Sequence, residues 1–313
     1  MAASSLPGNP AAPSADRGLM FDGFTQRRIP CADGVEINAV VGGSGPPVLL
    51  LHGCPQTSVT WRGVAPTLAE GFTVVATDLR GYGSSSHPVG RADHSNYSFR
   101  VMARDQVQVM EALGFPRFRV AGHDRGGRVA HRLALDHPDR IQQAAVLDIL
   151  PTLTLYDHAD RTFASAYWEW FFFTQRADFP ESLITAAPES FLRYELGHLV
   201  ERGAITADAW EAYSQAIANP RAVHGMCEDY RAGATVDLQH DRLDLDRRIE
   251  CPLLVIWGTE NIVWSRFDML AVWRERARTV YGTGVPCGHY LPEEEPEITT
   301  ELLDKFFSCS SPG

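Results

Sequence analysis

Short apolar runs, each stopped by a turn-forming or acidic residue, recur along this chain with helix-like stretches between them. Pro47–Leu51 stops at His52 and Gly53, Thr73–Ala76 just before Asp78, and Arg117–Val120 just before Gly122. Ala144–Leu147 stops at Asp148, Leu253–Trp257 at Gly258, and Thr279–Tyr281 at Gly282. Runs of this length read as buried strands, and the stretches Ser98–Leu113 and Gly127–His137 read as helices. Such alternation predicts an α/β fold: a mostly parallel central sheet with helices on both faces. Ligands of such sheets bind beyond the carboxyl ends of the strands. His52, Asp78, Asp124, Asp148, Glu260 and His289 all lie at or after those ends.

One segment breaks the rhythm. Residues 152–247 hold no clear strand and are rich in aromatic side chains, including Tyr167-Trp168-Glu169-Trp170-Phe171-Phe172-Phe173. They read as a helical cap inserted after the strand that ends near Leu147. The expected layout is an extension over 1–20, a core over 21–151 and 248–309, and the cap over 152–247. With 313 residues and 44% of them apolar, the chain can bury a large core. The net charge of −11, without a block of basic residues, argues against nucleic acid and anionic membranes as partners. No apolar run has the length of a membrane span, and the first twenty residues lack the pattern of a secretion signal. Six scattered cysteines show neither a paired motif nor metal-ligand spacing, so reduced thiols, no metal and a cytoplasmic protein are expected. No cofactor motif is apparent.

The string Ala121-Gly122-His123-Asp124-Arg125-Gly126-Gly127-Arg128 follows an apolar run and opens a helix. A strand–turn–helix elbow of this kind exposes one side chain above the sheet and aims backbone N–H groups and a helix N-terminus at it. A serine there would need a base before it could attack. Asp124 is already ionised at neutral pH, and a carboxylate suits attack on a saturated carbon that carries a leaving group, giving an ester. Clearing that ester needs a base, and His289 falls where such a histidine belongs in the order nucleophile, acid, histidine. Asp148 is the leading candidate to orient it, with Glu260 as the alternative. Asp124 as a plain helix cap is the bland competing reading.

Over residues 21 to 308 the chain resembles the α/β-hydrolase superfamily and, within it, the haloacetate (fluoroacetate) dehalogenases. The likeness rests on His52-Gly53-Cys54-Pro55-Gln56-Thr57, Asp78-Leu79-Arg80-Gly81-Tyr82-Gly83-Ser84-Ser85, Gly122-His123-Asp124-Arg125-Gly126-Gly127-Arg128, Leu147-Asp148-Ile149, Tyr167-Trp168-Glu169-Trp170 and Asp229-Tyr230-Arg231-Ala232-Gly233. The resemblance implies that Asp124 displaces halide from the carbon alpha to a carboxylate, and that His289, oriented by Asp148, activates water against the ester. It implies that Arg125 and Arg128 clamp the substrate carboxylate. Backbone N–H groups of Cys54 and Arg125 would form the oxyanion hole, and Trp170 and Tyr230 would donate to the departing halide. The partners so implied are a small anionic organohalide and water, and the same resemblance points to a homodimer.

Two positions depart from the family pattern. Cys54 stands where the family often has phenylalanine, and Glu169 stands where its fluoride-binding set has histidine. An ionised Glu169 beside a leaving halide would repel it by about 4 kcal/mol at 4 Å and an effective dielectric of 20. Glu169 is therefore expected either to point elsewhere or to be held protonated by burial. Otherwise fluoroacetate is not the substrate, and chloro- or bromoacetate or a bulkier 2-haloacid is favoured. Competing readings are an epoxide hydrolase using the same Asp124 and a non-catalytic receptor for small acids. A serine esterase is disfavoured because no serine occupies the elbow.

Overall fold

The computed structural model describes residues 20–261 and 263–309. The expected extension over residues 1–20 lies outside them except for Met20. Eight strands form one sheet in the order β1-β2-β4-β3-β5-β6-β7-β8. They are β1 (Thr25–Pro30), β2 (Glu36–Gly43), β3 (Pro47–Leu51), β4 (Thr73–Thr77), β5 (Phe118–His123), β6 (Ile141–Leu147), β7 (Leu253–Gly258) and β8 (Val280–Val285). From β4 to β8 across the sheet every pairing is parallel, while β1 on β2 and β2 on β4 are antiparallel. Val48 to Leu51 of β3 and Ala144 to Leu147 of β6 are completely buried. Covering both sheet faces explains why these strands read as unbroken apolar runs.

The hairpin of β1 and β2 escapes that signal for local reasons. β1 is a polar edge strand with five of its six residues exposed. In β2 the apolar run is interrupted by Asn38, which is buried and donates to Asp78 Oδ2 at 3.0 Å.

The helices on the sheet are α1 (Ala65–Leu68), α2 (Phe99–Ala112) and α3 (Arg125–Asp136). Between β6 and β7 come α4 (Thr152–Asp157), α5 (Arg161–Ala166), α6 (Glu169–Phe172), α7 (Phe179–Ala186), α8 (Pro188–Glu201), α9 (Ala207–Ile217), α10 (Pro220–Ala234) and α11 (Val236–Leu243). No named strand falls among the described residues of that stretch. The chain ends through α12 (Met269–Arg274), α13 (Leu291–Glu294) and α14 (Pro296–Ser308). α2 starts where Ser98 accepts the Val101 N–H, a side-chain cap that meets an otherwise orphaned donor. Among the described residues, no helix is long and apolar enough to cross a membrane.

The junction of β5 and α3 is the tightest point of the fold. A Cβ on Gly122 would lie 2.2 Å from the Gly126 carbonyl oxygen, and one on Gly126 would lie 2.4 Å from that of Leu51. Only glycines let strand and helix meet so closely. The turn forces Asp124 to φ 48° and ψ −115°, a conformation that non-glycine residues seldom adopt.

Candidate active site

Asp124 sits at that elbow, 4% exposed, at the wall of a small cavity. Its two oxygens are treated differently. Oδ1 accepts the backbone N–H of Cys54 at 3.0 Å. Oδ2 faces His289 Nε2 at 3.9 Å, too long for a hydrogen bond, so it stays untethered. The Cys54–Pro55 peptide is cis. The Arg125 N–H opens α3 beside the same carboxylate.

His289 follows β8 and donates from Nδ1 to Asp148 Oδ2 at 2.6 Å. Asp148 follows β6 in a left-handed conformation, φ 54°, and accepts the Gly258 N–H at 2.7 Å on Oδ1. Asn261 donates to Asp148 Oδ2 at 3.1 Å and also lies 2.6 Å from the Tyr167 hydroxyl. The alternative acid, Glu260, is exposed, and the imidazole Nδ1 is bonded to Asp148 instead. The buried ring of His123 reaches the His289 carbonyl at 2.8 Å, fixing the loop that carries the histidine.

Electrostatics set the resting state. Burial would lift the Asp124 carboxyl, but the charges of His289, Arg128 and Arg125 outweigh it and hold the group below the usual range. Burial disfavours the His289 cation, yet the hydrogen bond to Asp148 and the charges of Asp148, Asp124 and Glu169 push it up to about 9. The free site therefore rests as an Asp124 anion facing an imidazolium.

The two arginines do not stand alike. Arg125 Nε donates to Asp229 Oδ2 at 2.8 Å and Nη2 to Oδ1 at 2.5 Å, so one edge of its guanidinium is already engaged. Its plane lies against Tyr230 and Phe99, 4.1 and 4.7 Å from the ring centroids. Arg128 is 3% exposed and gives Nη1 to Leu150 O and Thr152 Oγ1, both at 3.0 Å. Its Nε has no acceptor, and it makes no ion pair among the described residues. Burial and the neighbouring Arg125 bring its pKa down to about 10. Arg125 is thus already paired with Asp229, whereas Arg128 makes no ion pair among the described residues. Neither is among the cavity-lining residues.

The inserted helices supply the opposite wall. Tyr230 of α10 lines the cavity and its hydroxyl meets the Cys54 thiol. Trp170 of α6 is buried behind that wall, over the Arg128 guanidinium at 4.5 Å, and does not itself line the cavity. Glu169 does line it, and burial together with the charge of Glu195 pushes its carboxyl up to about 8. Glu169 thus faces the cavity rather than pointing elsewhere, and its burial favours the protonated carboxyl. Glu195 of α8, also on the cavity wall, is pushed up by burial to about 7, and its Oε1 has no partner. Sequence reasoning passed over Glu195, Asn261 and Asp229. Glu195 had a readable signal, because it interrupts the apolar stripe Leu192, Leu196, Leu199 of α8. His52 and Asp78 are structural: His52 joins Gly53 to Leu79, and Asp78 ties down Ser58, Ser84 and Asn38. Among the described residues no cluster of His, Cys, Asp or Glu could hold a metal.

Comparison with known proteins agrees with this fold. The family model described as the alpha/beta hydrolase fold matches residues 46–296. The chain is 48% identical to a fluoroacetate dehalogenase of a Burkholderia species, covering 94% of this chain and 97% of that protein. It is 32% identical to a soluble epoxide hydrolase of Corynebacterium sp. (strain C12), covering 88% and 95%. A crystal structure of an alpha/beta hydrolase from Nostoc sp PCC 7120 superimposes with a TM-score of 0.90 at 50% identity, covering 93% of this chain and all of that one. With Asp124, Asp148 and His289 at the strand ends of such a sheet, the chain belongs to the α/β-hydrolase superfamily and, within it, to the haloacetate dehalogenase family.

Proposed function

We propose that the protein hydrolyses the carbon–halogen bond of a short 2-haloacid to give the 2-hydroxyacid. The observation that carries this reading is a buried Asp124 carboxylate with one free oxygen, beside a buried Arg128 that lacks any anion of its own. A substrate carboxylate completes Arg128 and places its alpha carbon against Asp124 Oδ2. The attacking oxygen forms a bond to that carbon while the carbon–halogen bond breaks, and the halide leaves with the electron pair. Tyr230 and protonated Glu169 face the departing halide, with Trp170 packed behind them.

Oδ1, already held by the Cys54 N–H, becomes the carbonyl oxygen of the ester and needs no movement to occupy the oxyanion hole. Alkylation also removes the negative charge that helps keep His289 protonated, so the imidazole becomes a base only after the first step. His289 Nε2 then takes a proton from water, the hydroxide attacks the Asp124 carboxyl carbon, and the collapsing intermediate releases the hydroxyacid.

The test is mass spectrometry of a His289→Asn variant after chloroacetate. The expected result is a peptide spanning Asp124 that carries one carboxymethyl group, formed but not cleared. An Arg128→Met variant should lose about 2–3 kcal/mol of transition-state binding, roughly 30- to 150-fold in kcat/KM. An unmodified Asp124 peptide alongside active wild-type enzyme overturns these roles. Binding of haloacid without turnover by the wild type would favour the receptor reading.

A further inference from the structure

A halide leaves without a proton, so the reading above gives Glu169 only a hydrogen bond to make. Its placement goes further than that. Glu169 and Glu195 lie on the wall of the same cavity as Asp124 and His289, and neither carboxyl is paired with an arginine or lysine among the described residues. The other titratable groups lining that space are Cys54, Tyr167, Tyr230 and Tyr290, none of them cationic. Two buried carboxyls on the wall of one cavity cannot both ionise cheaply, which favours a proton on one of them. Such a proton is useful where the leaving group is an alkoxide, a far poorer leaving group than halide.

A neutral epoxide would leave the unpaired Arg128 unsatisfied, and a plain haloacid leaves the Glu169 proton unused. One substrate class satisfies both: an epoxide with a carboxylate on a ring carbon. We propose that this site, resting on the reading of Asp124 as nucleophile and Arg128 as carboxylate anchor, also hydrolyses 2,3-epoxy acids of the glycidate type, with Glu169 as the general acid and Glu195 as its positioning partner. The ring oxygen sits on the carbon alpha to the carboxylate, where the halogen of a haloacid sits. Asp124 Oδ2 forms a bond to that carbon, the carbon–oxygen ring bond breaks, and its electron pair takes the proton of Glu169. Water, deprotonated by His289, then cleaves the ester to give the 2,3-dihydroxyacid, and the proton gathered on His289 restores Glu169 through solvent. One epoxide and one water are consumed and no further reactant is needed.

The experiment compares glycidate with chloroacetate on wild-type, Glu169→Gln and Glu195→Gln enzymes. Wild type should convert both. Glu169→Gln keeps a donor but has no proton to transfer, so glycidate hydrolysis should fall at least about 100-fold, and by at least about tenfold more than dehalogenation. Glu195→Gln removes a neighbouring negative charge and should move the alkaline limb of glycidate hydrolysis to lower pH, a shift that a merely structural role would not produce. Dehalogenation without any glycidate turnover sinks the epoxy-acid proposal and leaves the first reading standing. Parallel losses on both substrates in Glu169→Gln remove Glu169 as proton source. Inactivity of the wild type on both sinks the underlying reading as well.

Discussion

At the scale of single residues, the proposed mechanism makes the Glu169 carboxyl the control on the range of halides. That carboxyl is raised to about 8, so in that reading it offers the leaving group a donor below this pH and faces it as an anion above. Fluoride depends on such donors most, because its bond to carbon is the hardest to break. Chloro- and bromoacetate should therefore gain most over fluoroacetate once that proton is lost, above about pH 8. The ratio of fluoride to chloride release should drop as pH rises through about 8. Ion-selective measurement of both halides between about pH 6 and 10, roughly two units either side of that value, checks this; a flat ratio would mean that Glu169 does not face the halide. The proton count runs in that direction because a carboxyl raised by the fold keeps its proton over the interval between its ordinary value and the raised one.

Among elements, the link from α3 to α10 holds the site together. Asp229 accepts from Arg125 and from the Tyr82 hydroxyl at 2.7 Å, all three being buried. Replacing Asp229 by Asn strands the Arg125 charge and should cost about 3–5 kcal/mol of stability. A shift of the urea midpoint with an unchanged slope would show it, and a change below about 1 kcal/mol would count against a buried, net-favourable pair. This link also marks where the sequence stops being legible. The elbow, Asp148 and His289 could be read because each sits at the end of an apolar strand, a local pattern. The pairing of Arg125 with Asp229 spans 104 residues and no local pattern announces it. The resemblance pointed to both arginines as clamps, and only the packing shows one of them already committed. The β1–β2 hairpin was hidden for the opposite reason, since its residues lack the apolar run on which the strand reading depended.

For the whole molecule, the net charge of −11 works against the anionic substrate proposed above, and in that reading Arg128 works for it at short range. Salt screens the long-range field over a Debye length of about 8 Å at physiological strength but reaches a buried cation much less. Raising ionic strength to about 0.15 M should therefore increase kcat/KM for chloroacetate by roughly twofold, while neutral chloroacetamide should stay flat. Stopped-flow or initial-rate assays over a salt series distinguish these outcomes; a fall with salt would place a wider cationic surface around the entrance. The layout also divides labour. Asp124, Asp148 and His289 are rooted in β5, β6 and the turn after β8, whereas Glu169, Glu195 and Tyr230 arrive on α6, α8 and α10. On the proposed roles, exchanging a few side chains on the inserted helices should rewrite bond-breaking preference, while the hydrolytic half of the cycle, anchored in the sheet, carries on unaltered.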